Sequence, residues 1–155
     1  MNSTRRAVLA ALPPLAAAVI GGRSARNAPE VYARLRKPGW APPAGVFGPV
    51  WTVLYSLIGF AGWRILGRDR RRALAFHLAQ LGLNAAWTPL FFGAGRRRAA
   101  LIVSLALDAA VAAEMVELLR EGDRAAALSL APYLAWSGFA TALTASVSDP
   151  PESEG

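Results

Sequence analysis

Asp108, His77 and three rows of aromatic and small polar residues are the positions where this chain places groups capable of chemistry inside apolar stretches. Asp108 lies deep in one such stretch. A charge at mid-membrane costs roughly 2.5–3.5 kcal/mol on insertion scales, so an acid there must face protein and find a partner. That partner can be a proton or ligand, or a hydroxyl on a neighbouring helix. Asp108 also shares a row with Ser104 and Ala112, whose small side chains suit close helix contact. His77, the single histidine, falls one turn into its segment. It can ligate a haem iron or sit wetted at the membrane interface.

The aromatic rows are more specific. Trp51 and Tyr55 are spaced i, i+4. Asn84, Trp87 and Thr88 follow i, i+3, i+4, and Tyr133, Trp136 and Ala140 follow i, i+3, i+7. On a helix each row lies on one face. Turned inward, the rows wall a cavity for a planar, mostly apolar ligand with a few hydrogen-bonding groups to orient it. Placed at head-group depth, the same rings form an interfacial belt. The sequence holds no Ser-His-Asp set, no glycine-rich phosphate loop beside a strand and no metal-ligand cluster.

The elements that must position these rows are membrane spans. Of 155 residues, 54% are hydrophobic. A soluble domain of this size cannot bury so much apolar surface, whereas lipid can cover it. Five segments approach the length that crosses a hydrocarbon core: 7–22, 46–66, 73–92, 99–119 and 125–147. The first is short and broken by Pro13-Pro14, the third carries Pro89 near its end, and the fifth has Pro132 in its second turn. In the fourth, Asp108, Glu114 and Glu117 would suit a surface helix, but the apolar run 99–107 favours a span. Arg5-Arg6 before the first span resembles a signal peptide. Arg23, however, stands where cleavage needs a small residue, which predicts an uncleaved first span.

Links 67–72, 93–98 and 120–124 are short and force antiparallel neighbours. Segment 23–45 holds Pro29, Pro38, Pro42 and Pro43 together with Val31, Tyr32, Leu35 and Trp40. It is expected to be a long structured loop packed on the bundle mouth. Residues 1–147 form one domain, and the acidic tail 148–155 is expected to be disordered. The net charge is +7, and all but one of the 17 basic residues are arginine. These charges sit at segment ends, where they meet lipid head groups rather than nucleic acid. They divide nine to eight between the two sides, so the positive-inside rule assigns no orientation. There is no cysteine, hence no disulfide and no thiolate metal site.

Three blocks carry a resemblance. They are KPGWAPPAGVFGPVWTVLY at 37–55, LNAAWTPLFFG at 83–93 and PYLAWSGFATAL at 132–143. In order and spacing they resemble the TspO/MBR family of tryptophan-rich sensory proteins, over nearly the whole chain. The resemblance implies a five-helix membrane bundle, usually a homodimer, that binds porphyrin-like tetrapyrroles such as protoporphyrin IX and haem. It implies a pocket beneath the first loop. Trp40 and Pro42 would belong to the lid, and Trp51, Tyr55, Asn84, Trp87, Thr88, Trp136 and Ala140 would line the pocket.

Departures from the family pattern are local. Thr144, Ala145, Ser146 and Val147 stand where animal members carry a sterol motif with Tyr and Arg, so sterol recognition of that kind is not expected. Val31-Tyr32 replaces Trp-Tyr before the loop motif, and Val103 falls where many members have an acid. The expected function is a receptor or binding protein for tetrapyrroles in a bacterial cytoplasmic membrane, with no obligatory cofactor and no catalysis. A transporter of small amphipathic ligands and a light-dependent porphyrin-degrading enzyme are the alternatives. Arg34, Arg36 and Lys37 would meet either porphyrin propionates or lipid phosphates.

Overall fold

The computed structural model describes residues 2–68 and 70–149. Every regular element among them is helical: α1 (Ser3–Ser24), α2 (Ala28–Arg34), α3 (Phe47–Leu66), α4 (Arg71–Thr88), α5 (Arg97–Arg120), α6 (Arg124–Ser129) and α7 (Ala131–Ser146). A single 3-10 turn, Ala44–Val46, leads into α3. α4 is central, packed on α1 and α5. α5 in turn packs on α7, and α1 on α3.

Four helices are long and apolar enough to cross a membrane: Ser3–Ser24, Ala44–Leu66, Arg97–Arg120 and Arg124–Ser146. Their outer faces carry Leu12, Leu15, Val53, Ile102 and Leu105, which have nowhere to be buried but lipid. α4, the third of the five expected spans, falls outside that group. It turns His77, Gln80 and Asn84 into the protein, and these polar side chains lower its apolar content.

Proline shapes the helices differently from expectation. α1 runs unbroken through Pro13 and Pro14. A proline removes one N–H and crowds the carbonyl four residues back, which a membrane helix tolerates where neighbouring groups compensate. Pro89 acts more strongly. α4 ends at Thr88, and residues Pro89–Gly93 form a π-turn closed by Ala94 N–H donating to the Pro89 carbonyl at 2.8 Å. Pro132 divides the fifth segment at Leu130 into α6 and α7.

One end of the bundle is held by ions. α5 finishes in a Schellman motif: Gly122, at φ 75°, lets its N–H reach the Leu119 carbonyl at 3.0 Å and the Asp123 N–H reach Leu118 at 2.8 Å. That turn delivers Asp123 as the N-cap of α6, where its carboxylate accepts from the Ala126 N–H at 3.1 Å. The same carboxylate pairs with Arg64 at 2.8 Å, Arg70 at 2.6 Å and Arg68 at 3.4 Å. Arg70 also reaches Glu121 at 2.8 Å. Arg6 of α1 lies 3.9 Å over the Trp63 ring at this same end.

The chain end described here is also held. Arg36 and Ser148 form an antiparallel bridge, and Asp149 pairs with Arg97 at 2.7 Å. Ser148 and Asp149 are therefore docked rather than part of a free tail. The remainder of the expected disordered tail lies outside the described residues.

α3 and α4 approach closely where Gly62 meets His77. A Cβ at Gly62 would stand 2.8 Å from the imidazole Nε2, and the buried ring cannot swing away into solvent. Gly62→Ala is expected to lower stability by about 1–3 kcal/mol through overpacking. Thermal unfolding in detergent reads this, and an unchanged Tm would contradict the packing.

Candidate functional site

At the end opposite the ion cluster, the helices enclose a cavity of about 420 Å³. α3 supplies Phe47, Trp51, Thr52 and Tyr55 to its wall, while α4 supplies Asn84, Trp87 and Thr88. α7 adds Trp136, Ser137 and Ala140, and α5 adds Ser104 and Leu107. The end of α1 contributes small residues, Ala18, Gly21 and Gly22, and Tyr32 of α2 stands at the top. Small side chains on α1 leave the volume that the rings on α3, α4 and α7 surround.

The aromatic walls are braced from behind. Trp51 leans on Tyr55, centroids 5.3 Å apart, and meets Tyr133 edge-on at 6.1 Å. Trp87 stacks on Phe91 at 4.8 Å. Trp136 contacts Phe47 edge-on at 5.8 Å and Phe139 at 5.3 Å. Such pairs prefer offset or edge-to-face geometry, so each ring has a defined orientation before any ligand arrives.

The polar groups are similarly fixed. The Tyr55 hydroxyl donates to Asn84 Oδ1 at 2.8 Å, and Asn84 Nδ2 donates to the Tyr133 hydroxyl at 3.2 Å. One amide thus ties α3, α4 and α7 together at the cavity. No lining residue carries a formal charge. The indole nitrogens of Trp87 and Trp136 are buried without a hydrogen-bond partner among the described residues.

Of the residues expected at the site, Trp51, Tyr55, Asn84, Trp87, Thr88, Trp136 and Ala140 all line the cavity. The periodic rows therefore converge on one space, except for Tyr133, which is buried behind the lining and bonded to Asn84. Trp40 and Pro42 do not line it. Trp40 is 51% exposed and packs edge-on against Phe139 at 5.7 Å, one layer outside Trp136. The Pro42 carbonyl accepts from the Tyr32 hydroxyl at 2.8 Å. Pro42 thus braces the lining residue Tyr32, while Trp40 braces Phe139, which in turn supports Trp136.

The basic loop residues are not in the cavity either. The Lys37 ammonium donates to the carbonyls of Tyr32 at 2.5 Å and Leu35 at 3.0 Å, closing the end of α2. Arg34 and Arg36 are exposed. Asp108 takes the helix-to-helix reading: its carboxylate accepts from Ser137 at 2.5 Å and Thr141 at 2.7 Å, joining α5 to α7. His77 is not wetted, and it does not line the cavity. It is 2% exposed, and its Nδ1 lies 2.7 Å from Glu114.

Sequence reasoning missed Phe47, Tyr32, Ser104, Ser137 and the α1 glycines as lining. Phe47 was accessible, since it extends the Trp51–Tyr55 row by one further i, i+4 step. The α1 residues had no such signal, because glycine and alanine mark a wall only once the opposite helices are placed.

Comparison with known proteins relates the chain to one family. A family model described as the TspO/MBR family matches residues 9–148. The translocator protein of Homo sapiens is 44% identical over 118 residues, which span 72% of this chain and 69% of that protein. The tryptophan-rich sensory protein of Cereibacter sphaeroides is 42% identical over 115 residues, 74% of this chain and 72% of the relative. The tryptophan-rich protein TspO of Archaeoglobus fulgidus is 40% identical over 123 residues, 77% and 79% of the two chains.

Proposed function

We propose, from the premise that the chain belongs to the TspO/MBR family, that this integral membrane protein is a receptor for porphyrin-like tetrapyrroles. The observation that carries the reading is the cavity itself: an uncharged space walled by Trp51, Trp87 and Trp136 from three different helices. Flat apolar rings fixed at several angles suit a planar macrocycle, which gains by stacking and by leaving water. Asn84 and Thr88 orient its polar edge. Because Lys37 is engaged at the end of α2, propionates would have to reach toward the exposed Arg34 and Arg36 or toward water.

The same reading includes three finer points. α4 crosses the bilayer as a fifth span, since it sits between α1 and α5 and exposes Phe76 and Leu78 outward. The protein works as a homodimer in the cytoplasmic membrane of a bacterium, in contact with lipid on its apolar outer faces. Tetrapyrrole is a ligand, not a resident cofactor, and the site binds without catalysing.

The test is a protoporphyrin IX titration of detergent-purified protein, followed by quenching of tryptophan fluorescence. Saturable quenching is expected, weakened roughly three- to tenfold in Trp51→Phe and in Trp136→Phe as stacking is reduced. Non-saturable quenching, equal in both variants, would mean partition into the micelle and would overturn the reading. Running each titration dark and illuminated separates binding from breakdown. A new porphyrin product formed only in light, and lost in Trp136→Phe, would favour the enzyme.

A further inference from the structure

A second polar site lies inside the bundle, away from the cavity. Glu114 of α5 is 0% exposed, and its Oε1 lies 2.7 Å from Nδ1 of His77 on α4. Gln80, one turn along α4, is also fully buried. Glu114 Oε2, His77 Nε2 and both amide atoms of Gln80 have no hydrogen-bond partner among the described residues. Ile58, Ala61, Ile65 and Val111 belong to the same apolar core. A carboxylate retained in such surroundings marks a functional position unless something neutralises it.

The side chains nearby offer no neutralising cation. Arg6 of α1 sits over Trp63. On α3 Arg64 pairs with Asp123, as does Arg70 ahead of α4. Arg72 of α4 and Arg120 of α5 both turn to Glu117, at 3.9 Å and 3.7 Å. Asp108 of α5 is bonded to α7, and Tyr55 of α3 and Tyr133 of α7 are bonded to Asn84. Asp123 and the exposed Arg124 stand at the start of α6.

We propose that His77 and Glu114 form a proton-binding site inside the helix bundle. A neutral imidazole beside a carboxylate leaves a net charge of −1 buried in apolar protein. One added proton, taken from water, brings the pair to zero. It rests either on the imidazole, facing a carboxylate, or on the carboxyl group, facing a neutral imidazole. Both arrangements keep the bond between Nδ1 and Oε1, and their interchange needs only movement of the proton along it. His77, Gln80 and Asn84 are spaced i, i+3, i+7 on one buried face of α4, spanning about 10 Å. Asn84 borders the cavity, so the pair stands about two turns of α4 away from it.

The single histidine makes this directly measurable, and no tetrapyrrole is needed. Protein labelled with ¹⁵N-histidine is placed in lipid nanodiscs at neutral pH. Nitrogen shifts read the charge of the imidazole, and infrared absorption reads any protonated carboxyl group. The expected result is one extra proton. Either the imidazole is cationic, or a carboxylic acid band is present that Glu114→Gln deletes. In Glu114→Gln the imidazole is expected to be neutral. A neutral imidazole together with an ionised Glu114 in the wild type overturns the proposal, and so does a cationic imidazole that persists in Glu114→Gln. If that variant does not fold, Glu114→Asp keeps the carboxyl group and is expected to shift the band; a band unmoved in it, together with a neutral imidazole, overturns the proposal.

Discussion

Ala140→Phe is expected to abolish most tetrapyrrole binding while leaving the fold in place. Ala140 lines the cavity from α7, one turn beyond Trp136, and its methyl group faces space rather than a packed neighbour. A phenyl ring there projects into the 420 Å³ that a macrocycle must enter, on the same wall as the Trp136 ring. The helix itself tolerates the change, since phenylalanine costs little relative to other ordinary residues at one position. Affinity for protoporphyrin IX should fall at least tenfold, about 1.4 kcal/mol, with thermal stability unchanged or slightly raised by the filled void. Wild-type affinity in this variant would mean that the ligand sits elsewhere.

Asp123→Asn has the largest expected effect on stability. Asp123 is buried and is shared by three arginines and the first turn of α6. Burial by itself would push its carboxyl up, but the Ala126 N–H and the Arg64 and Arg70 guanidiniums outweigh this and hold it below the ordinary carboxylate range. An asparagine keeps some capping but takes the anion from Arg64 and Arg68 and leaves Arg70 with Glu121 alone. Breaking a fully buried pair costs about 3–5 kcal/mol. The partial exposure of Arg64 and Arg68 places the expected loss at about 3 kcal/mol or somewhat below.

The pH dependence has a definite sign. Because the native carboxyl is held low, its contribution is complete above the unfolded-state value near 3.8. It is lost as pH falls through the lower native value. The gap in stability between wild type and Asp123→Asn should therefore be full at neutral pH and narrow in acid. Denaturant or thermal unfolding at several pH values measures it. A gap that stays constant into acid would mean that charge plays no part.

Much of the site was legible because helical periodicity is a local property. Trp51 with Tyr55, and Trp136 with Ala140, share faces wherever their helices go, so seven expected residues arrive together. What periodicity lacks is depth and direction between helices. His77 could be read as wetted because nothing local says that Gly62 and Glu114 will close over it. Trp40 and Pro42 sit in an irregular segment, where side-chain destinations depend on long-range packing against Phe139 and Tyr32. Prolines were similarly ambiguous. Pro13-Pro14 leave α1 continuous, whereas Pro89 produces a π-turn and Pro132 divides a helix. The difference lies in what surrounds each freed carbonyl, not in the residue type.

The central claim is that the cavity is the tetrapyrrole site, and the most direct measurement is an experimental structure determined with protoporphyrin IX added. The expected result is macrocycle density within the cavity, against Trp51 and Trp136 and beneath Tyr32 of α2. Macrocycle density only on the lipid-facing surfaces, with the cavity walls unchanged, would contradict it.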